Sequence, residues 1–273
     1  MSGRDITGEV TQMCAEGAAL GHPTWRLDLA YEGTAYRGWA QQPGQRTVEG
    51  LLMEALATVL REPVRLSVAG RTDAGVHAWA QVASFVCAPP DLRPDRLRHS
   101  LNALLPPDIA VTAVSAATPG FTAREAVSRT YQYLLLNSPV KPVRERAYVW
   151  NVRGALDAAL LGEAAALLPG RRDFAALTPS ARLYHSCVRE VRTADWQPTP
   201  GGDGPPGHAA WTFTITAESF LHNMVRVAVG SMVDVAQGRM TLEGLAEGLA
   251  SGERRRMGQT APARGLALVA VAY

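Results

Sequence analysis

Arg71 and Asp73 stand two residues apart in the stretch Ala69-Gly70-Arg71-Thr72-Asp73-Ala74-Gly75-Val76-His77-Ala78. A free aspartate is ionised at neutral pH, and a nearby guanidinium holds it so. Such a carboxylate serves as a nucleophile or a charge stabiliser rather than as a general acid. An aspartate in a turn of this kind also caps backbone amides as an Asx-turn, so its companions decide. Tyr131 and Tyr133 fall on one strand face in Ser128-Arg129-Thr130-Tyr131-Gln132-Tyr133, where core packing is the competing reading. Arg226 lies in Phe220-Leu221-His222-Asn223-Met224-Val225-Arg226 and is followed by Val227 and Val229. A guanidinium in such apolar company needs a carboxylate partner, and Asp73 is the expected one. His222 reads as a polar helix-face residue. Two basic runs, Lys141-Pro142-Val143-Arg144-Glu145-Arg146 and Arg254-Arg255-Arg256, read equally as solvated faces or as phosphate contacts. Arg37, Arg46 and Arg124 are scattered further cations.

The elements that must position these groups follow from hydrophobic periodicity. Trp25, Leu27, Leu29 and Tyr31 alternate with Arg26, Asp28 and Ala30, which predicts a strand. Glu32-Gly33 turns into a loop holding Tyr36-Arg37-Gly38-Trp39. Thr47 is the expected N-cap of a helix faced by Val48, Leu51, Leu52, Ala55, Leu56, Val59 and Leu60, closed by Pro63. Strands over 64–68 and 81–86 flank the Asp73 loop, with Gly70 and Gly75 giving it backbone freedom. Pro94 opens a helix striped by Leu97, Leu101, Leu104 and Leu105 and stopped by Pro106-Pro107, and a strand through Ile109, Val111 and Ala113 follows.

That order, strand-helix-strand-strand-helix-strand, is the ferredoxin-like unit. The second half repeats it: a strand over 130–136, a helix marked by Leu156, Leu160, Leu161, Ala164 and Leu168, a hairpin of 188–196 and 210–216 across the Gly/Pro-rich loop 198–207, a long helix over 220–235, a shorter one over 241–250, and a closing strand over 265–271. The expectation is an α+β protein of two ferredoxin-like (βαββαβ) halves with a central cleft, the natural place for a ligand. The expected divisions are a mobile tail over 1–23 and two domains, 24–127 and 128–273.

The 273 residues, 47% hydrophobic and 19% charged, are ordinary for a globular protein. A net charge of +2 does not by itself call for a nucleic-acid partner; a binder would have to gather its cations on one face. Lys141 is the only lysine, so nearly every cation is an arginine, which suits bidentate phosphate contact but also follows from skewed genome composition. Three scattered cysteines, Cys14, Cys87 and Cys187, form no Cys-x-x-Cys, so neither a disulfide scaffold nor a zinc ribbon is indicated. Residues 1–21 lack the basic start and apolar core of a signal peptide. The apolar run near Met224 is interrupted by Arg226 and Asp234. The expectation is a soluble cytoplasmic protein.

The set Gly70-Arg71-Thr72-Asp73-Ala74-Gly75-Val76-His77, Ser128-Arg129-Thr130-Tyr131-Gln132-Tyr133, Phe220-Leu221-His222-Asn223-Met224-Val225-Arg226 and Gly265-Leu266-Ala267-Leu268 resembles the tRNA pseudouridine synthase A (TruA) family in order and spacing. The likeness runs from about Trp25 to Tyr273. It implies a pseudouridine synthase fold and conversion of uridine to pseudouridine in the tRNA anticodon stem-loop, at family positions 38, 39 and/or 40. It implies Asp73 as nucleophile, Tyr131 stacking on the uracil and assisting proton removal, and Arg226 paired with Asp73. Arg71 would hold the flipped nucleotide or fill the space it leaves. The expected substrate-binding set is Arg71, Thr72, His77, Tyr131, Arg37, Lys141 and Arg144. The family is homodimeric and uses no cofactor. The tail, the segment Phe174-Ala175-Ala176-Leu177-Thr178-Pro179 and the loop 198–207 depart from the pattern.

The chemistry suits these residue types. The isomerisation exchanges a glycosidic C–N bond for a C–C bond to the same base without redox change, so it needs neither nicotinamide nor flavin. The sequence has no Gly-rich loop ending in Gly-Lys-Ser/Thr. Two rivals remain: an RNA-binding module without catalysis, which would have no need of Asp73, Tyr131 and Arg226 together, and an aspartyl-nucleophile glycoside hydrolase. The hydrolase would want a second carboxylate beside the first, and acids are sparse around these motifs.

Overall fold

The computed structural model describes residues 23–87, 93–199 and 209–273. The tail expected over 1–23 and the loop expected over 198–207 fall almost wholly outside the described residues, as does Cys14. The described chain is mixed α/β and divides into two compact units. One holds the described residues up to Val127 together with Val269–Tyr273; the other is Ser128–Leu268.

In the first unit, strand β1 (Thr24–Tyr31) pairs antiparallel with β3 (His77–Val86) and with β4 (Ile109–Ala117), and the short β2 (Ser67–Val68) pairs with β3. The spatial order is therefore β4-β1-β3-β2. The alternation read in β1 is the observed one: Leu27 and Leu29 are fully buried and Tyr31 nearly so. Helix α1 (Val48–Leu60) starts where Thr47 Oγ1 accepts the Gly50 N–H at 3.3 Å, and ends at Arg61 in the left-handed region at φ 59°. Helix α2 (Pro94–Leu104) opens on its proline and packs on β4. Leu52 and Leu56 of α1, Leu97 and Leu101 of α2, and Leu27, Leu29 and Phe85 of the sheet are excluded from water. Each such side chain contributes about 1.5–3 kcal/mol of transfer free energy. This core is the platform under the Asp73 loop.

Around that loop the strand boundaries differ from expectation. Only Ser67 and Val68 of 64–68 form a strand, while β3 begins four residues early, at His77. His77 is thus a strand residue at the loop's exit. Gly75 does occupy the left-handed region, at φ 79°, but Gly70 is not among the positive-φ glycines. What Gly70 contributes is its carbonyl, which accepts a side-chain hydrogen bond from Gln81.

In the second unit, β5 (Ser128–Asn137) pairs antiparallel with β9 (Ala209–Ala217) in unbroken register from Arg129↔Ala217 to Asn137↔Ala209. Beyond β9 lie β8 (Val188–Pro198) and then β7 (Gly170–Asp173), and β6 (Trp150–Val152) runs parallel to β5. Neither β6 nor β7 was expected. Helix α3 (Ala158–Ala166) is capped by Asp157, and α5 (Leu242–Ser251) by Thr241. Between them lies α4 (Met224–Ala236), buried almost all round, with Arg226 and Asp234 the half-buried exceptions. An apolar helix of this kind is buried on every side. It starts four residues later than expected, because Asn223 sits at φ 61° and cannot continue a right-handed helix. Phe220, Leu221 and His222 therefore form the turn into α4 rather than its first residues. Of the last strand, β10 (Leu266–Ala272), Leu266–Leu268 belong to the second unit and the remainder to the first. Among the described residues no helix is long and apolar enough to cross a membrane.

Candidate active site

Each unit carries its own group of chemistry-bearing residues. In the first, the Asp73 loop is held from two directions. The Tyr36–Trp39 loop grips its backbone: Trp39 N–H donates to Thr72 O at 3.0 Å, and Gly75 N–H to Tyr36 O at 3.3 Å. Within the loop, Val76 N–H donates to Asp73 O at 3.1 Å and closes a turn. From beneath, Thr72 Oγ1 meets the Tyr31 hydroxyl at 2.7 Å, and Gln81 Nε2 donates to Tyr31 at 3.2 Å and to Gly70 O at 2.7 Å. Asp73 emerges half-buried and Arg71 exposed. Burial pushes the Tyr31 phenol up to about 12, against the opposing hydrogen bonds it shares with Thr72 and Gln81.

His77 is buried at 1% exposure, and its Nδ1 accepts the Gly33 N–H at 3.0 Å. That acceptor role puts the ring proton on Nε2. The Glu32 carboxylate lies 3.8 Å from the same Nδ1. The His77 ring stacks on Trp79 at 5.5 Å between centroids, and Trp79 is 45% exposed. Thr72, at 6%, is also buried. Arg37 is exposed on the gripping loop. Arg46 is engaged inside the unit, over the Tyr36 ring at 4.7 Å and 3.5 Å from Asp108. Burial and a hydrogen bond to Asp108 raise the Tyr36 phenol above its ordinary range.

In the second unit, Tyr131 and Tyr133 share the expected strand face and are both buried. Tyr131 meets the Phe220 ring edge-on, at 5.1 Å and 84°. Tyr133 donates its hydroxyl to Pro262 O at 2.8 Å. Burial raises its pKa, opposed by the charges of Arg226 and Arg264. Gly265 is required here by close approach, since a β-carbon on it would lie 2.5 Å from Tyr133 Cζ.

Arg226 is half-buried. Its Nε donates to Ala261 O at 2.8 Å, and one of its terminal nitrogens, Nη1, donates to Asn223 Oδ1 at 2.7 Å. Its own carbonyl accepts the Ala261 N–H at 3.0 Å. The guanidinium is thus aimed by the turn before α4 and by the segment leading to Gly265. His222 is in that turn rather than on a helix face; its Nδ1 lies 2.9 Å from Ser180 Oγ, and its N–H donates to the Tyr184 hydroxyl.

Lys141 and Arg144 are exposed on the loop between β5 and β6. The Arg254–Arg256 run is not a free basic face. Arg254 donates to Met257 O, Gly258 O and Thr260 Oγ1, while Arg255 meets Glu253 and Arg256 meets Glu247. Among the described residues no three His, Cys, Asp or Glu side chains gather where they could hold a metal ion.

The sequence reading gave Gln81, Tyr31 and Asn223 no part in the site. The signal for Gln81 was a lone amide in an otherwise apolar strand; Asn223 carried the weaker one of a residue that tolerates left-handed backbone.

Known proteins resemble the chain over most of its length. A family model described as tRNA pseudouridine synthase matches residues 29–123 and 164–273, which take in Asp73 and Arg226. A tRNA pseudouridine synthase A of Solidesulfovibrio magneticus is 44% identical over 255 residues, covering 91% of this chain and 90% of its own. Those of Pelobacter propionicus and Geobacter sulfurreducens are each 39% identical, over 92% of this chain and 99% of theirs. With a fold of this class, the motifs in order and relatives matched nearly end to end, the chain belongs to the tRNA pseudouridine synthase family of isomerases.

Proposed function

We propose that this protein converts uridine to pseudouridine in the anticodon stem-loop of tRNA, at positions 38, 39 and/or 40, with Asp73 as nucleophile and no cofactor. The fold is read as two ferredoxin-like domains, 24–127 and 128–273, with the substrate in the cleft. The β4-β1-β3-β2 order of the first unit supports this reading. Asp73 attacks the sugar or the pyrimidine ring, the N1–C1′ bond breaks, the base rotates and C5 joins C1′. The C5 proton leaves and N1 gains one, so atoms and charge balance without an oxidant. Arg226 pairs with Asp73, and Tyr131 stacks on the base and assists removal of the C5 proton.

A target uridine inside a stem must leave the stack, at a cost of a few kcal/mol. Arg71 holds the extruded nucleotide or fills its place, and exposed Arg37, Lys141 and Arg144 contact the RNA backbone. Thr72 and His77 complete the substrate-binding set from beneath, shaping the loop. The protein acts as a cytoplasmic homodimer on tRNA.

The single observation that carries this reading is the Asp73 loop. Its carboxylate-bearing residue is presented half-buried on a turn anchored by backbone and buried side chains alike. Incubation of 5-tritiated uridine tRNA with wild type and with Asp73→Asn tests it. Tritium release by wild type alone is expected; equal release by both overturns the assignment.

A further inference from the structure

Gln81 and Tyr31 are among the most deeply buried polar side chains of the first unit, at 0% and 2% exposure. An amide and a phenol cost free energy to bury unless they are hydrogen-bonded, and a leucine and a phenylalanine would fill the same space without that cost. The direction of their bonds is fixed by donor inventory. Gln81 Nε2 can only donate, so it occupies a lone pair of the Tyr31 oxygen. The buried Tyr31 proton needs an acceptor, and the one within reach is Thr72 Oγ1 at 2.7 Å. The sequence is Gln81 to Tyr31 to Thr72, and Thr72 immediately precedes Asp73. Between the Leu29↔Gln81 and Tyr31↔Ala78 pairs β3 carries one residue more than β1, a β-bulge beside the tyrosine. The same Gln81 amide also holds Gly70 O, two residues before Thr72. On the other side, Thr72 O accepts Trp39 N–H.

We propose that Gln81, Tyr31 and Thr72 are positioning residues, a buried relay from β3 through β1 that fixes the backbone at Thr72 and so aims the Asp73 carboxylate. The proposal rests on Asp73 being the nucleophile, but its geometry can be read without activity. Catalytic groups must be held within fractions of an ångström, and a displacement of about 1 Å costs on the order of a hundredfold in rate. The relay sets that tolerance from outside the reacting atoms.

The experiment compares Thr72→Val, Thr72→Ser, Tyr31→Phe, Gln81→Leu and the Tyr31→Phe/Thr72→Val double variant with wild type. Two quantities are read: single-turnover kcat and KM on tRNA, and amide hydrogen exchange at Trp39 and through residues 70–76. Thr72→Val and Tyr31→Phe should lower kcat about tenfold to hundredfold with KM within about twofold. Thr72→Ser should restore most of the rate. The double variant should be no slower than the worse single one, because both break one relay. Exchange should quicken in the loop in each hydroxyl-deleted variant. If Gln81→Leu does not fold, the two hydroxyl deletions decide. Wild-type kcat with unchanged exchange overturns the relay, as does a rise in KM at constant kcat, which would make Thr72 an RNA contact. Quickened exchange in a protein whose wild type converts no uridine leaves the relay standing and sinks the pseudouridylation reading. Full rates in the relay variants beside a dead Asp73→Asn do the reverse.

Discussion

Arg226 donates to the side chain of Asn223, three residues earlier, while Asn223 itself sits in the left-handed region at φ 61°. One residue therefore both ends the turn before α4 and aims the guanidinium. The two roles are separable. Asn223→Gly keeps the backbone at ease and deletes the acceptor; Asn223→Ala deletes the acceptor and adds about 1–2 kcal/mol of left-handed strain. Thermal melting should fall for Asn223→Ala and stay near wild type for Asn223→Gly. Pseudouridylation should fall in both, because Arg226 loses its aim. A glycine variant with full activity would show that Ala261 alone suffices to orient the guanidinium.

The contact of Gly265 with Tyr133 gives a prediction about stability. A β-carbon at 2.5 Å from a fully buried ring cannot be accommodated without moving the strand or the ring. Gly265→Ala should cost about 1–3 kcal/mol in denaturant unfolding. Tyr133→Leu alone should also destabilise, by removing the ring and the bond to Pro262 O. Combined with Gly265→Ala it should cost less than the sum, since the space the methyl needs has been opened. Additive losses would mean that the overlap is relieved elsewhere.

Much of this arrangement could be read from sequence because local chemistry set it. Thr47 caps α1 and β1 alternates as its residues dictate, since each depends on side chains a few positions apart. The motif around Asp73 was legible for the same reason. The elements that were missed depend on distant partners. The β7 segment Gly-Arg-Arg-Asp has no apolar pattern and is a strand only because β8 offers it a ladder. The late start of α4 turns on one backbone angle at Asn223, which the apolar periodicity running through it conceals. Gln81 was only the first residue of the expected 81–86 strand; its partner Tyr31 lies 50 positions away in sequence. The run of three arginines is open to two readings from sequence: its charges are met by Glu253, Glu247 and backbone carbonyls, which composition alone does not locate.

Tyr31 also gives the protein a defined alkaline limit. Its phenol is raised from the ordinary 10 to about 12 by burial, so the folded state holds this proton more tightly than the unfolded chain. Between those values the unfolded chain binds fewer protons, and stability falls as pH rises. The contribution is fully present below pH 10 and is lost as pH climbs through about 12. Two pH units correspond to on the order of 3 kcal/mol. Urea titrations at pH 9 and pH 11.5 should show a drop for wild type that is smaller for Tyr31→Phe, which has no proton to lose at that site. Equal drops would mean that other groups dominate the alkaline transition.

The cations proposed to meet RNA should separate from those that do not by salt dependence. Arg37, Arg71, Lys141 and Arg144 are exposed, whereas Arg255 and Arg256 already face Glu253 and Glu247 at 3.0 Å. Neutralising a phosphate releases counterions, so each true contact adds roughly one to the slope of log K against log salt. Changing any of the first four to Gln should therefore weaken tRNA binding and flatten that slope by about one. It should raise KM and leave single-turnover kcat near wild type for Arg37, Lys141 and Arg144. Arg71, beside Asp73, should lose kcat as well, because its proposed place is on the extruded nucleotide. Arg255→Gln and Arg256→Gln should leave the slope unchanged, since exposed ion pairs of this kind contribute little and their charge is already met within the protein. A slope that falls as much for Arg256→Gln as for Arg144→Gln would move the RNA-binding face toward the 254–256 turn.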